Sequence, residues 1–273
     1  MDKQLGLLMA QISDFVYTFD ATLVPGLGNP VVVEIQDHKP IKTSFAGLLR
    51  YPDKMVLAFE GTITGRTAQA VLDWLQDFRA LQVQAMGLPG MVHKGFADQL
   101  TLIWPDILAG LQGNTQPLYV TGHSQGAAVA VLATKALELA GIAVAGTYTF
   151  AAPRPGDEVF AASVATPVFR FEFGDDVVPH VPFHSMDRGK FEDRINTELM
   201  AHVPELGPLI RTAQDGFAAA GLLNYRRPGT DLQVDLSPDD ENTLARTRNM
   251  LLLVARTNLF NHHHMINYIG MFS

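Results

Sequence analysis

The sequence contains no cysteine among its 273 residues. Disulfides, thiolate metal sites and cysteine nucleophiles are therefore excluded together. Charged residues make up only 18% of the chain, the net charge is −8, and Lys and Arg form no cluster, so we expect no nucleic-acid partner. The longest apolar runs, such as Met250–Ala255, are too short to span a bilayer, and we predict no transmembrane segment.

The N-terminus also lacks the features of a signal peptide. Met1–Asp20 has no basic start, no pure apolar core and no small-residue cleavage site, and its pattern predicts an amphipathic helix. We therefore expect a soluble protein, either cytoplasmic or secreted with its signal already removed. Hydrophobic residues make up 47% of the sequence, which is enough for a large core, and we predict one domain over residues 1–273.

Strand and helix patterns alternate along most of the chain. The strand patterns are Val31–Gln36, Ile41–Tyr51, Lys54–Phe59, Pro117–Thr121, Val144–Phe150 and Pro167–Phe173. The helical patterns are Ala70–Gln82, Phe96–Leu111, Gln125–Ala140 and Gly156–Val164, and Gly141 stands where a helix end favours a left-handed residue. This alternation predicts an α/β fold with a mostly parallel central sheet flanked by helices.

The region 185–259 has a different pattern. Helical patterns at Ile195–Gly221 and Glu241–Thr257 lie on either side of Tyr225–Leu236, which is typical of loop and strand. Two interpretations stay open at this point. The region is either a helical cap or insertion, or a set of helices that flank the sheet.

A catalytic serine is indicated by the segment 122–126, Gly-His-Ser-Gln-Gly, which is a G-x-S-x-G motif between a predicted strand and a predicted helix. Such a tight turn exposes the serine hydroxyl, and the helix directs its first amides toward developing negative charge. An ordinary glycine-rich turn, such as a phosphate loop, is the structural alternative. It is disfavoured because neither G-x-x-x-x-G-K-[ST] nor G-x-G-x-x-G occurs. We predict that Ser124 is a nucleophile.

A serine nucleophile needs a histidine to accept its proton and a carboxylate to orient that histidine. In the chain order Ser, acid, His, the candidates are Asp175 and Asp176 after the strand Pro167–Phe173, and the histidines 262–264 near the C-terminus. A metal site at the three histidines is disfavoured because consecutive side chains diverge.

Five segments resemble the class 3 lipases, the fungal-type triacylglycerol lipases. The resemblance covers most of Lys54–His180 and returns at the C-terminus. The segments are Ala58–Thr62 with Asp73–Phe78, Val92–Phe96, Val120–Ser124, Tyr148–Gly156 and Asp176–Pro179. The resemblance implies an α/β-hydrolase fold with a lid region at 63–72, and ester hydrolysis through an acyl-enzyme with no metal and no organic cofactor.

The same resemblance implies a role for each site residue. Ser124 is the nucleophile, and Asp176, in the family's D-x-V-P motif, is the acid; Asp175 is then a loop charge. The oxyanion donors are the backbone N–H groups of Thr62, which follows Phe-x-Gly, and of Gln125, which follows the nucleophile.

The position of the base follows from a family spacing. One branch of the family places the base five residues before a tyrosine, which selects His263 before Tyr268; His264 is the alternative. The other histidines considered, His93, His123 and His180, are expected to be structural.

The sequence departs from the family pattern in several places. Glu60 stands where Arg is usual, and Gln125 stands where Leu is common. The interval between the acid and His263 (263 − 176 = 87 residues) is longer than usual.

We therefore predict a serine carboxylester hydrolase that acts on a lipid or acyl ester, with a lipase as the preferred interpretation. Action at a lipid–water interface stays open at this point. A short-chain esterase or phospholipase on the same fold stays open, as does a catalytically idle protein that binds a lipid or a partner. An apolar group suits a fatty acyl chain, although a buried helix face explains its last two members better. Its members are Ile63, Val71, Leu72, Trp74 and Leu75.

Overall fold

The structure of the chain is a computed structural model that describes residues 2–24, 26–40, 45–61, 81–173, 176, 178–180, 228, 230–233 and 264–272. The helices in these ranges are α1 (Lys3–Phe15), α2 (Lys94–Leu111), α3 (Gln125–Leu139), α4 (Glu158–Ser163) and α5 (Met265–Gly270). The strands are β1 (Val31–Gln36), β2 (Phe45–Arg50), β3 (Met55–Phe59), β4 (Gln82–Val83), β5 (Val92–His93), β6 (Leu118–His123), β7 (Gly146–Phe150), β8 (Val168–Glu172) and β9 (Thr230–Gln233). Short 3-10 helices cover Ala21–Leu23 and Val178–His180.

The central sheet has seven described strands in the order β1-β2-β3-β6-β7-β8-β9. The first three strands form an antiparallel meander, and β3, β6, β7, β8 and β9 run parallel to one another. Strand β6 is therefore central, with β3 and β7 as its neighbours. The carboxyl ends of the parallel strands meet at one edge, which is where ligands bind in open α/β sheets.

Both faces of the sheet are covered, as a parallel sheet requires. Along β3, Leu57 and Phe59 join the core under α2 and α3, whereas Val56 and Ala58 join the core under α1 and α5. This alternation follows from the two-residue period of a strand. Each fully buried Leu or Phe side chain contributes roughly 1.5–3 kcal/mol relative to an exposed one.

Helix α1 is anchored behind β6 by polar as well as apolar contacts. Its first turn is capped by Asp2, whose side chain accepts hydrogen bonds from the amides of Gln4 and Leu5. Farther along, Ser13 Oγ lies 2.9 Å from Thr121 Oγ1, and both residues are buried. A buried hydroxyl pair needs this mutual satisfaction, so the register of α1 against β6 is fixed.

The sequence predicted most of these elements. Strand β1 has the predicted bounds, α3 ends within one residue of its predicted end, and Gly141 has the expected positive φ of 74°. The end of the predicted helix Ala70–Gln82 is wrong, because Gln82–Val83 pairs with Val92–His93 as an antiparallel ladder. In that ladder the backbone groups of Gln82 are bonded across strands rather than along a helix.

Several expectations fall wholly or partly outside the described residues. They are the lid region 63–72, the apolar group 63–75, most of the region 185–259 and the helices predicted within it. Within Tyr225–Leu236, the predicted strand is present as β9, which pairs in parallel with β8. Across the described segments, no helix combines the length and apolar character that crossing a membrane requires.

Candidate active site

Ser124 occupies a strained turn between β6 and α3. Its backbone has φ 55° and ψ −130°, a region that residues with a side chain rarely adopt. The turn is held on both sides, because the Ser124 amide donates to the Phe150 carbonyl (2.9 Å) and the Ser124 carbonyl accepts from the Ala127 amide (3.0 Å). Strain that persists under such constraints is typical of functional positions.

The two glycines of the motif are required by close backbone approach. A Cβ atom on Gly122 would lie 2.5 Å from the carbonyl oxygen of Gly126. A Cβ atom on Gly126 would clash with the carbonyl oxygen of Phe59 and lie 2.7 Å from that of Glu60. Helix α3 can therefore start against the end of β3 only if these residues have no side chain.

Asp176 is a buried carboxylate at the end of the segment that follows β8. It is 3% exposed, and its Oδ1 accepts a hydrogen bond from the Val178 amide at 3.0 Å. Its Oδ2 accepts a hydrogen bond of 2.6 Å from the hydroxyl of Tyr268, which is itself fully buried. Burial first, and the negative charge of Asp176 second, raise the pKa of Tyr268 well above its ordinary value, so this hydroxyl stays a donor.

The candidate bases lie at the start of α5. His264 is the residue before this helix, with extended backbone angles (φ −72°, ψ 137°), and its carbonyl accepts from the Asn267 amide. His263 and Asp175 lie outside the described residues. The choice of His263 as the base therefore stays a prediction, and the structure adds that the helix after it carries the donor to Asp176.

The candidate oxyanion donors belong to two segments, the start of α3 and the chain after β3. Gln125 is the first residue of α3 and follows Ser124 within the turn 122–126, which we call the elbow. Thr62 lies outside the described residues, but Gly61 before it is buried, and a Cβ atom on Gly61 would lie 2.8 Å from the His123 carbonyl oxygen. The end of the β3 segment thus passes directly along the elbow.

His123 is enclosed by two tyrosines that the sequence analysis did not connect with it. Its Nδ1 lies 2.9 Å from the hydroxyl of Tyr17, and its ring centroid lies 5.8 Å from that of Tyr268 in an edge-on arrangement. Tyr17 carries no local signal in the sequence, since it follows α1 and lies far from the motif along the chain. In the sequence, Tyr268 is significant only as the tyrosine that follows His263 by five residues.

Glu60 is a half-buried carboxyl group next to the candidate oxyanion segment. Burial raises the pKa of Glu60 to about 7. Its amide donates to the Phe45 carbonyl at 3.2 Å, which holds the backbone at the end of β3. A carboxyl group, rather than the family's usual guanidinium, therefore stands beside the site.

His93 has a structural place, as the sequence analysis expected. It is 5% exposed and caps α2, with Nδ1 accepting from the Phe96 amide at 3.4 Å. Burial lowers the pKa of His93 to about 4, so the ring is neutral at physiological pH. A neutral ring is what an accepting nitrogen at a helix N-terminus requires.

Solved lipase structures share this fold. A triacylglycerol lipase whose catalytic centre is formed by a serine protease triad has a TM-score of 0.62 at 19% identity, covering 98% of this chain and 96% of that chain. A lipase from Rhizopus microsporus var. chinensis has a TM-score of 0.58 at 20% identity, with 87% and 76% covered. The parallel sheet with a strained serine between strand and helix is therefore an α/β-hydrolase fold, as predicted.

Part of the sequence is also similar to one protein family. Residues 56–186 match the family model of the class 3 lipases. Secreted mono- and diacylglycerol lipase A of Penicillium cyclopium is 33% identical over 140 residues, which are 48% of this chain and 44% of that protein. Secreted mono- and diacylglycerol lipase 1 of Fusarium solani is 30% identical over 142 residues, or 47% and 39%. The chain spans less than half the length of these curated relatives. Through residues 56–186, just under half of its length, the chain is similar to the class 3 lipases.

Proposed function

We propose that this protein is a lipase, a serine carboxylester hydrolase that cleaves acylglycerol esters through an acyl-enzyme. The observation that carries the proposal is the strained backbone of Ser124 at the carboxyl end of the central strand, with the buried carboxylate of Asp176 in the segment after β8. An ordinary strand–helix turn has no need of a serine at φ 55°.

The proposed chemistry assigns one step to each residue. Ser124 Oγ attacks the ester carbonyl carbon while His263 accepts the hydroxyl proton, and Asp176 stabilises the resulting imidazolium. The amides of Thr62 and Gln125 hold the negative oxygen of the tetrahedral intermediate, and each such donor contributes a factor of about 10²–10³ in rate. His263 then protonates the leaving alcohol, and water releases the acid by the same route.

Acylglycerols are the proposed substrates because the matched relatives are described as mono- and diacylglycerol lipases. We further propose that the enzyme works at a lipid–water interface. A short-chain esterase or a phospholipase would use the same residues, and a catalytically idle binding protein would use none of them. Chain-length and headgroup preference separate these alternatives.

The test is hydrolysis of p-nitrophenyl esters with acyl chains of two to sixteen carbons, followed by emulsified mono-, di- and trioleoylglycerol. Wild type should hydrolyse the longer esters and at least one acylglycerol, with a rate that rises when the substrate forms droplets. Ser124→Ala and His263→Ala should be inactive. His38→Ala is the matched control, since His38 is exposed and pairs with Asp106 at the surface.

The outcomes distinguish the assignments. If Ser124→Ala retains full activity, the proposal is wrong. If His264→Ala loses activity and His263→Ala retains it, the base is His264 rather than His263. Hydrolysis of short soluble esters alone would indicate an esterase, and a wild-type chain that is inert toward every ester would indicate an idle binding protein.

A further inference from the structure

Tyr17 reaches the back of the elbow from an element remote in sequence. It follows α1, in a turn where its amide donates to the Asp14 carbonyl at 3.2 Å. The register of α1 is fixed by the buried Ser13–Thr121 pair, and Thr121 lies in β6 just before the elbow. Tyr17 as a whole is partly buried, but its hydroxyl group is enclosed.

The Tyr17 hydroxyl contacts two separate backbone segments. The Gly61 backbone lies directly against its oxygen, since an added Cβ atom there would clash with it, and His123 Nδ1 lies 2.9 Å away. A tyrosine hydroxyl that keeps its proton can donate to the ring nitrogen of His123 when that nitrogen carries none. The Tyr17 hydroxyl oxygen therefore contacts both Gly61, the residue before Thr62, and His123, the residue before Ser124.

The Tyr17 hydroxyl fills the space that a side chain at position 61 would need. A Cβ atom at position 61 would clash with the Tyr17 hydroxyl oxygen and would lie 2.8 Å from the His123 carbonyl oxygen. The three groups thus occupy one tight, polar junction. Burial, with the carboxylates of Glu60 and Asp14 as further causes, raises the pKa of Tyr17 far above its ordinary value, so the hydroxyl keeps its proton.

We propose that Tyr17 is a positioning residue that fixes the distance between the two segments from which the oxyanion donors project. This inference rests on the proposed ester hydrolysis at Ser124. The amides of Thr62 and Gln125 must point at one oxygen atom, and each lies within two residues of one that Tyr17 contacts: Thr62 follows Gly61, and Gln125 lies two residues after His123. A displacement of about 1 Å in such a group can lower the rate by about 10²-fold.

The test compares Tyr17→Phe with wild type and with Tyr51→Phe. Tyr51 is the matched control, because its half-buried hydroxyl donates to the Leu27 carbonyl at 2.9 Å, away from the elbow. Tyr17→Phe should lower kcat about 10-fold to 100-fold with KM nearly unchanged, since the hydroxyl acts through groups that bind the transition state. Tyr51→Phe should leave kcat unchanged.

A tetrahedral inhibitor distinguishes positioning from a general loss of stability. An alkylboronic acid forms a tetrahedral adduct on the serine, with one oxygen toward the oxyanion donors. Its inhibition constant should rise in Tyr17→Phe by the factor by which kcat/KM falls, at a temperature where thermal unfolding shows all variants to be folded. A variant that loses only stability would keep the wild-type inhibition constant.

A second pair of variants keeps the test decisive if Tyr17→Phe does not fold. Asn at position 123 places an acceptor oxygen near the site of Nδ1, so His123→Asn should retain more of kcat than His123→Leu. Equal kcat in these two variants would overturn the role of Tyr17. If wild type is active and Tyr17→Phe is equally active, the role of Tyr17 is overturned and the proposed ester hydrolysis stands. If wild type is inert toward all esters, both the role of Tyr17 and the proposed ester hydrolysis are overturned.

Discussion

The hydroxyl of Tyr268 donates a hydrogen bond of 2.6 Å to Oδ2 of Asp176, across 92 residues of sequence. The same hydroxyl oxygen accepts from the Phe173 amide at 3.3 Å, so Tyr268 also contacts the end of β8. Helix α5 is thereby fixed against the segment that carries the acid. Because His263 and His264 directly precede this helix in sequence, we expect the proposed base to depend on the same contact.

Removal of this hydroxyl should therefore affect stability and catalysis together. Tyr268→Phe leaves a buried carboxylate oxygen without one donor, which costs about 1–3 kcal/mol in the free energy of unfolding. We expect a lower midpoint in urea unfolding and a reduced kcat. Tyr51→Phe loses a hydrogen bond to a neutral carbonyl and should keep its kcat; an equal fall of kcat in both variants would contradict the role given to Tyr268.

The stabilities of two Ser124 variants should reveal the strain in the backbone at this position. Ser124→Ala and Ser124→Gly should both abolish ester hydrolysis because the nucleophile is lost. Only Ser124→Gly removes the Cβ atom that makes φ 55° unfavourable, so it should be more stable than Ser124→Ala by about 1 kcal/mol or more. Thermal unfolding of the two variants checks this, and equal midpoints would show that the elbow stores no such strain.

The glycine at the start of α3 should not tolerate a methyl group. In Gly126→Ala, the new Cβ would meet backbone atoms of Phe59 and Glu60, which cannot rotate away, so α3 must move from the end of β3. We expect a loss of stability of several kcal/mol and little remaining activity. Gly270→Ala is the control, since no atom lies within 4 Å of its added Cβ, and it should behave as wild type in both assays.

Glu60 should make the stability of the protein depend on pH. Burial raises its pKa in the folded state to about 7 from an ordinary value of 4.5, so the folded chain holds a proton that the unfolded chain releases. This contribution to stability is fully present below pH 4.5 and is lost as the pH rises through 7. Glu60→Gln cannot lose a proton, and its stability relative to wild type should increase over that interval.

Unfolding midpoints of wild type and Glu60→Gln between pH 4 and pH 9 measure this effect. Glu34→Gln is the control for the loss of one carboxyl group, because Glu34 is exposed on β1. A constant difference between Glu60→Gln and wild type across the range would mean that Glu60 titrates alike in the folded and unfolded chains.

The sequence predicted those features that depend on neighbours along the chain. The bounds of β1 and α3 follow from strand and helix periodicity, and the place of Ser124 follows from a five-residue motif. The contacts of Tyr17 and Tyr268 could not be predicted in this way. Tyr17 meets His123 across 106 residues, and nothing in the local pattern around Tyr17 distinguishes it from any other tyrosine after a helix.

The wrong end of the predicted helix Ala70–Gln82 has a similar cause. Gln82 and Val83 fit the end of a helical pattern, but tertiary pairing with Val92–His93 decides their conformation. Short segments are often determined by such partners rather than by propensity. The roles of Thr62 and His263 stay predictions, since they follow from motif position and from the segments that lead to them.

The packing of α1 against α5 has a consequence for biosynthesis. The ring of Phe272 lies against Gly6, and the buried residues of both helices belong to one core. His123 is thus enclosed by the aromatic rings of Tyr17 and Tyr268, which lie far apart along the sequence. A nascent polypeptide on the ribosome can form β6 and α3 early, but it cannot enclose the elbow until residues 264–272 have emerged. The surroundings of His123 are therefore completed only after residues 264–272 have been synthesised.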